Sequence, residues 1–306
     1  MPGMRLSPAE HRRLRRRARL RRELTGWAFL GPMFLFFVVF LLYPVIETFW
    51  WSTRSGGLLG PTRSVGLQNY TQFPQTVDAT SAVKNTLYFA LYSVPLTLVL
   101  ALLVALLLAR VSRGGAIYRF FIYFPVLVPG VVAGLIWLFL TNPDFGLLNN
   151  ILRGLGAKPV TWLGSSTALP TLAAVDVWRN TGYWAIFFVA ALIGLPQELY
   201  QAAALDGAGS LARFWFLTLP MLRRILLFAI VVSTIWGLQV FDTALIMTAG
   251  GPGTATTTIV YRVWQYVFAY DDKIGTAAAM SAILVIAILA LTLVQLRMLR
   301  GQRGLD

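Results

Sequence analysis

Six long apolar windows constrain this chain more than any other feature. Each is long enough to cross a hydrocarbon core about 30 Å thick as a helix that rises about 1.5 Å per residue. The chain of 306 residues is 57% hydrophobic and only 12% charged, which leaves too little polar surface for a soluble globule. We therefore predict an all-α, polytopic membrane protein with six transmembrane helices. The windows are 27–48, 86–109, 117–140, 168–194, 224–248 and 275–297.

The basic residues predict the orientation, because cytoplasmic loops near membrane ends keep an excess of Lys and Arg. If the N-terminus is inside, the cytoplasmic side collects most of the 26 Lys and Arg residues. Both termini are then cytoplasmic, and residues 195–223 form a cytoplasmic loop between the fourth and fifth helices. The expected organisation is a basic cytoplasmic tail at 1–25, a transmembrane domain at 26–300 and a short cytoplasmic tail at 301–306.

The net charge of +14 does not predict nucleic-acid binding, because much of it lies in the Arg-rich run 12–22, directly before the first helix. Contact with membrane lipid headgroups is the expected role of that run. The chain has no cysteine, and His11 is its single histidine. We therefore expect no metal site and no catalytic residues.

The sequence also lacks the phosphate-binding pattern G-x-x-x-x-G-K-[ST], because no Lys follows the Gly-rich run 248–254. Energy for any transport must therefore come from an ion gradient or from another subunit.

The cytoplasmic loop predicts two short helices. Pro196 suits the start of the first, which has good helix formers up to Leu205 and is broken by Gly207. The second is expected over 210–219, with Ser210 as its N-cap and Pro220 as its end. Small side chains on the first helix allow close approach, so we expect it to dock in a groove of a partner. A helix that lies on the membrane surface is the alternative.

Within this loop, Gln201-Ala202-Ala203, then Gly207, and finally Leu219-Pro220 match the spacing of the EAA loop in permease subunits of binding-protein-dependent ABC importers. The wider run 196–220 resembles the carbohydrate-import branch. A second run, from Phe241-Asp242 through Gly250-Gly251-Pro252, is similar to the stretch after the fifth helix in relatives of the first membrane subunit of maltose and glycerol-3-phosphate importers.

This resemblance implies a type I ABC importer permease fold in the bacterial inner membrane, and a transport subunit that is not an enzyme. It implies a second permease subunit in a heterodimer, two copies of an ABC ATPase and an extracytoplasmic solute-binding protein. ATP and Mg are then bound by the ATPase subunits, and this chain needs no cofactor. The residues that the resemblance assigns to ATPase coupling are Glu198, Gln201, Ala202, Ala203, Asp206, Gly207 and Pro220.

One position departs from the family pattern, because Gln201 stands where an acidic residue is usual. A glutamine can form hydrogen bonds but not a salt bridge. We therefore expect Glu198 and Asp206 to carry the electrostatic part of docking.

Polar groups at membrane depth are the first candidates for a translocation path, because they are costly unless they face a cavity or a partner. Aromatic rings beside them suit a sugar, whose CH faces pack on rings while its hydroxyls form hydrogen bonds. For Asp176 and Arg179 an intramembrane ion pair is the alternative, and for Asp242 a structural role. The candidates are Asp176, Trp178, Arg179, Asn180, Tyr183 and Trp184 on the fourth helix and Trp236, Gln239 and Asp242 on the fifth.

We thus expect an ATP-driven importer of a neutral sugar. Transport of sn-glycerol-3-phosphate or a related phosphodiester is the second possibility, although Arg179 is the only basic residue well inside a predicted helix. An ion-coupled secondary transporter is a further alternative, which Asp176 and Asp242 would serve. A membrane enzyme lacks support in the sequence.

Overall fold

The computed structural model describes residues 8–57, 60–73, 77–111, 114–270 and 272–300, and most of them are helical. Two short strands, β1 (Arg54–Ser55) and β2 (Arg63–Ser64), pair antiparallel. Three π-helical turns occur at Val38–Leu42, Phe214–Thr218 and Ala244–Thr248. The α-helices are α1 (Pro8–Phe37), α2 (Tyr43–Ser52), α3 (Gln68–Gln72), α4 (Val77–Leu108), α5 (Gly115–Leu127), α6 (Gly130–Leu140), α7 (Leu147–Gly154), α8 (Ala168–Ile193), α9 (Gln197–Leu205), α10 (Ser210–Arg213), α11 (Leu219–Leu238), α12 (Ile259–Phe268) and α13 (Ile274–Arg300).

Four helical stretches within the described residues are long and apolar enough to cross a membrane: Arg21–Ser52, Asp78–Leu108, Ser210–Leu238 and Ile274–Met298. Two bent helix pairs, α5 with α6 and α8 with α9, raise the number of candidate spans to six. Helix α8 has 26 residues, so it is about 39 Å long and can cross a bilayer without α9. The polytopic helical fold is thus confirmed.

The third predicted helix, 117–140, is broken into α5 and α6. The chain turns through 97° between α5 and α6. Val128 and Pro129 are extended there, because a residue before proline avoids the helical region and proline has no N–H to donate. Irregular backbone at membrane depth needs protein around it. Helix α8 packs against α5 so closely that a side chain on Gly182 would collide with the backbone of Ile122.

The fifth predicted helix, 224–248, is also wrong at its end. Helix α11 stops at Leu238, and the chain passes through an irregular turn before the π turn at Ala244–Thr248. Gln239 and Asp242 therefore lie beyond the helix and not on it. Hydrogen bonds hold this turn in place: Thr258 Oγ1, for example, donates to the carbonyl of Val240 at 3.0 Å.

The second predicted loop helix does not end at Pro220. Helix α10, the π turn Phe214–Thr218 and α11 form one continuous helical stretch. The wider π turn accommodates Pro220, which lies in the first turn of α11 and has no N–H for a carbonyl one turn earlier. The N-cap of α10 is Gly209 and not Ser210, and no side chain caps it.

The main core lies between α4, α8 and α11. Small residues of α4, such as Ala101 and Ala105, let α8 approach and bury its aromatic side chains Trp184 and Phe188. Close packing over small residues is the usual way in which helices associate in a membrane. This core fixes α8, and with it the polar residues that α8 carries.

A second set of contacts fixes the end of the molecule opposite α9. The amide of Asn85 donates to the carbonyls of Thr254 at 2.7 Å and Thr257 at 3.0 Å. Nearby, buried Arg262 pairs with Asp78 at 3.4 Å. These contacts tie the first half of α4 to α12 and to the segment that precedes it. They thereby hold the turn that contains Asp242.

Candidate functional site

A polar cavity of about 370 Å³ lies beside α8, at the turn that follows α11. We call this space the polar cavity. It is lined by Asp176, Arg179, Asn180, Trp236, Gln239, Val240, Phe241, Asp242 and Thr243. Six of the nine predicted pathway residues meet there. They come together because α8 presents one polar face and the chain leaves helix α11 just where that face lies.

Arg179 bridges two carboxylates at this cavity. Its guanidinium nitrogens lie 3.8 Å from Asp176 Oδ1 and 3.9 Å from Asp242 Oδ2. Asn180 Nδ2 donates to the same Asp176 oxygen at 2.8 Å. The ion pair that was the alternative for Asp176 and Arg179 is present, and both residues also line the cavity. The bridge joins α8 to the turn after α11.

Gly130, which the sequence analysis did not single out, lies directly against this bridge. A side chain at Gly130 would collide with Asp242 Oδ2 and with Arg179 Nη1. Gly130 is the first residue of α6, so the Asp242 carboxylate lies at the positive end of that helix. The Pro-Gly pair at 129–130 was the sequence signal for this break.

The aromatic candidates divide between the cavity and the helix packing. Trp236 lines the cavity and is 42% exposed, and it contacts Tyr183 with ring centroids 5.4 Å apart. Trp184 is fully buried in the core. Trp178 packs edge-on against Trp137 of α6 at 5.6 Å. Trp178, Tyr183 and Trp184 are not part of this cavity lining. Chemically, the cavity offers carboxylate, amide and guanidinium groups beside a ring, which fits a polyhydroxylated solute.

Helix α9 presents an exposed face at the other predicted site. Glu198, Gln201, Ala202 and Leu205 are all exposed and follow the spacing i, i+3, i+4, i+7. We call these four residues the α9 face. Leu205 is 90% exposed, which is unusual for a leucine at the end of a helix. Ala203, by contrast, is half-buried on the side of α9 turned toward the rest of the chain.

The ends of α9 are well defined. After Asp206, the N–H of Gly207 donates to the carbonyl of Ala204 at 3.1 Å and that of Ala208 to the carbonyl of Ala203 at 2.9 Å. This double closure requires a left-handed residue, and Gly207 supplies it with φ of 81°. On the inner side, the hydroxyl of Tyr200 bonds that of Thr218 at 2.9 Å. This bond joins α9 to the π turn that leads into α11, where Pro220 follows.

Comparison with known protein families gives a match over most of the chain. Residues 83–302 match the model of the family described as binding-protein-dependent transport system inner membrane component. The trehalose/maltose transport system permease protein MalF of Thermococcus litoralis is 34% identical over 91% of this chain and 94% of its own length. The sn-glycerol-3-phosphate transport system permease protein UgpA of Agrobacterium fabrum is 34% identical over 90% of this chain and 94% of its own.

Among solved structures, a bacterial alginate ABC transporter in complex with an alginate pentasaccharide-bound periplasmic protein contains a chain with the same fold. The TM-score is 0.84, with 22% identity over 94% of this chain and 98% of the other. At that identity, the likeness concerns the fold alone.

Proposed function

The chain belongs to the family of binding-protein-dependent transport system inner membrane components, and from this premise we propose that it is one membrane-spanning half of an ATP-driven sugar importer. It is a multi-pass inner-membrane permease, and its family consists of transport-system components. The proposal adds the direction of solute movement, the energy source, the partner subunits and the substrate class.

The exposed α9 face carries the proposal. Its four residues are spaced like the anchors of a helix that docks in a groove, and its apolar Leu205 is otherwise left in water. The occupant is the cleft of an ABC ATPase subunit on the cytoplasmic side. Two copies of that ATPase bind ATP and Mg, because this sequence has no phosphate-binding loop of its own.

The proposed mechanism is alternating access. When the two ATPase subunits close on ATP, they move α9 toward its counterpart on a second permease subunit. The Tyr200–Thr218 contact and the continuous helical stretch Ser210–Leu238 carry that movement to the polar cavity at the far end of α11. Coupling is thus mechanical, through rigid helices that rock as bodies.

A second permease subunit and an extracytoplasmic binding protein complete the proposed assembly, with both chain termini on the cytoplasmic side. The first span leaves a surface for such a contact, because none of its most apolar 18-residue window is buried within this chain. Such a surface faces lipid or another membrane subunit. The solved alginate transporter complex also contains a periplasmic protein, which supports the proposed binding protein here.

The polar cavity favours a neutral sugar as the solute. Arg179 is its single cation within the described residues, and two carboxylates already flank that guanidinium. A phosphate would need a free cation and would be repelled by Asp176 and Asp242. Glycerol-3-phosphate remains the second candidate solute, and the 34% identity to a UgpA permease supports it.

Purification of the tagged chain from its native membrane tests the coupling proposal. We expect an ABC ATPase to copurify, and Leu205→Glu to reduce its yield several-fold by placing a charge in the docking groove. Leu155→Glu is the matched control, because Leu155 is 78% exposed in the segment between α6 and α8. Ion-driven uptake by this chain alone in liposomes would refute the proposal.

Uptake by the reconstituted importer tests the substrate class. Radiolabelled trehalose and maltose are compared with radiolabelled glycerol-3-phosphate, each in the presence of the importer's solute-binding protein. ATP-dependent accumulation of a sugar is expected. Accumulation of glycerol-3-phosphate alone would assign the chain to the second candidate solute.

A further inference from the structure

A small cavity lies in the core where α4, α8 and α11 meet. It adjoins the polar cavity, because Asp176, Asn180 and Trp236 line both. We call it the serine cavity, after Ser93 of α4 and Ser233 of α11, which face it together with Thr97 and Trp184.

Three residues of the serine cavity carry buried polar atoms that have no hydrogen-bond partner within the described structure. They are the hydroxyls of Ser93 and Ser233 and the indole N–H of Trp184. Ser93 is 1% exposed, Ser233 is 6% exposed and Trp184 is fully buried. Buried polar groups are nearly always satisfied, so three unpaired atoms around one space point to a partner inside that space.

Neighbouring hydroxyls on the same helices behave differently. Thr86 on α4 donates to the carbonyl of Ala82 at 2.8 Å, and Thr234 on α11 donates to that of Ile230 at 2.7 Å. A serine in a helix has the same option of bonding the carbonyl four residues earlier. Ser93 and Ser233 do not take it, so both hydroxyls are available to a ligand in the cavity.

The size of the space limits that ligand. The volume open to the centre of a water-sized sphere is about 10 Å³, which is about the room that one water molecule needs. A water molecule there can accept a hydrogen bond from the Trp184 N–H and donate one to the Asp176 carboxylate. It can also donate to, or accept from, the hydroxyl of Ser93 or Ser233. It therefore meets the requirement of two to four polar partners.

We propose that the serine cavity is a binding site for one ordered water molecule, which supplies the missing hydrogen bonds of α4, α8 and α11 next to the polar cavity. This water is a structural ligand at membrane depth, and it ties together the three helices that form the core.

Radiolytic labelling of the purified importer complex in ¹⁸O water tests this. Hydroxyl radicals formed from a bound water oxidise the adjacent side chain, so we expect Trp184 to be modified despite its complete burial. Ser233→Val removes one partner and fills the space, and should reduce the labelling of Trp184 several-fold. Ser281→Val is the matched control, because the Ser281 hydroxyl bonds its own helix at the Ala277 carbonyl and lies outside the cavity.

Equal labelling of Trp184 in wild type and Ser233→Val would overturn the proposal. If Ser233→Val fails to assemble, Ser93→Ala removes a partner without adding bulk and should also lower the labelling. A cryo-EM map of the wild-type complex that resolves ordered water decides independently of any variant. One peak in the serine cavity supports the proposal, whereas an empty cavity or a cation overturns it. These readouts do not depend on what the importer carries.

Discussion

At the scale of single residues, Arg179 is the centre of the polar cavity. Its side chain is 26% exposed, and its contacts with Asp176 and Asp242 are both close to 4 Å. These are loose ion pairs and not tight bidentate ones. A loose bridge can be exchanged for hydrogen bonds to a solute at small cost, which suits a transport path better than a purely structural staple.

Replacing Arg179 with glutamine should destabilise the protein, because Asp176 and Asp242 would then repel each other without a counterion. We expect a loss of about 1 to 3 kcal/mol, seen as a lower melting temperature in detergent. The double variant Arg179→Gln with Asp176→Asn removes the repulsion and should recover part of that loss. Equal melting temperatures for the single and double variants would contradict this account.

A second residue-scale prediction concerns Glu198 on the α9 face. In the assembled complex, Glu198→Ala should lower solute-stimulated ATPase activity several-fold, because Gln201 cannot replace the lost charge. Adding Gln201→Glu to that variant restores an acid one turn away and should recover part of the activity.

Asp144→Ala is the control for the α9 experiment, since this exposed carboxylate lies in the segment between α6 and α7. Unchanged ATPase stimulation in Glu198→Ala would show that docking does not use this charge.

The free-energy cost of placing polar groups in a membrane predicted much of the polar cavity from the sequence. Charged and amide groups are expensive at membrane depth, so Asp176, Arg179 and Asn180 stood out. Trp178 was misleading because an aromatic side chain at that depth serves packing equally well, and it contacts Trp137. Ser93 and Ser233 were missed because small residues in apolar helices carry no signal until their neighbours are known, and Gly130 was missed although Pro129 before it marks a helix break.

At the scale of secondary-structure elements, the break between α5 and α6 decides where the cavity forms. A straight helix over 117–140 would carry the chain past Asp242. The break instead places the N-terminus of α6 beside that carboxylate. The Asp242 charge and the positive end of α6 stabilise each other.

We expect Gly130→Ala to disturb this arrangement, because its methyl group would meet Asp242 and Arg179. The cost should be about 1 to 3 kcal/mol of stability, and ATP-driven uptake should fall while the ATPase still copurifies. Gly154→Ala in α7 is the matched control, because a side chain there meets nothing within 4 Å. Uptake by Gly130→Ala equal to that of the control would contradict the role given to this contact.

Hydropathy predicted the position of the helices better than their continuity. Windows of apolar residues located the four single spans and both bent pairs, since length and composition are what a bilayer selects. The breaks at Val128–Pro129 and after Leu238 were missed because hydropathy is averaged over a window in which one proline, or Gln239 and Asp242, change little. Irregular backbone there depends on shelter from α8 and on bonds such as that from Thr258 to Val240, which join distant parts of the chain.

At the scale of the whole molecule, the predicted orientation in the membrane can be tested by cysteine labelling, because the chain has no cysteine of its own. Leu155→Cys and Leu211→Cys each place one thiol at a position that is 78% and 70% exposed, respectively. A membrane-impermeant maleimide should label Leu155→Cys in intact spheroplasts and Leu211→Cys only after the membrane is opened. The reverse pattern would place α9 outside and would refute coupling to a cytoplasmic ATPase.

The first helical stretch runs without interruption from Pro8 to Ser52 through the π turn before Pro44. Its 30, 5 and 10 residues give a rod about 67 Å long, more than twice the thickness of the hydrocarbon core. Pro32 and the π turn are the points at which this stretch can bend. A tilt imposed on its tryptophan-bearing end by the neighbouring α13 therefore reaches its arginine-rich end only in part.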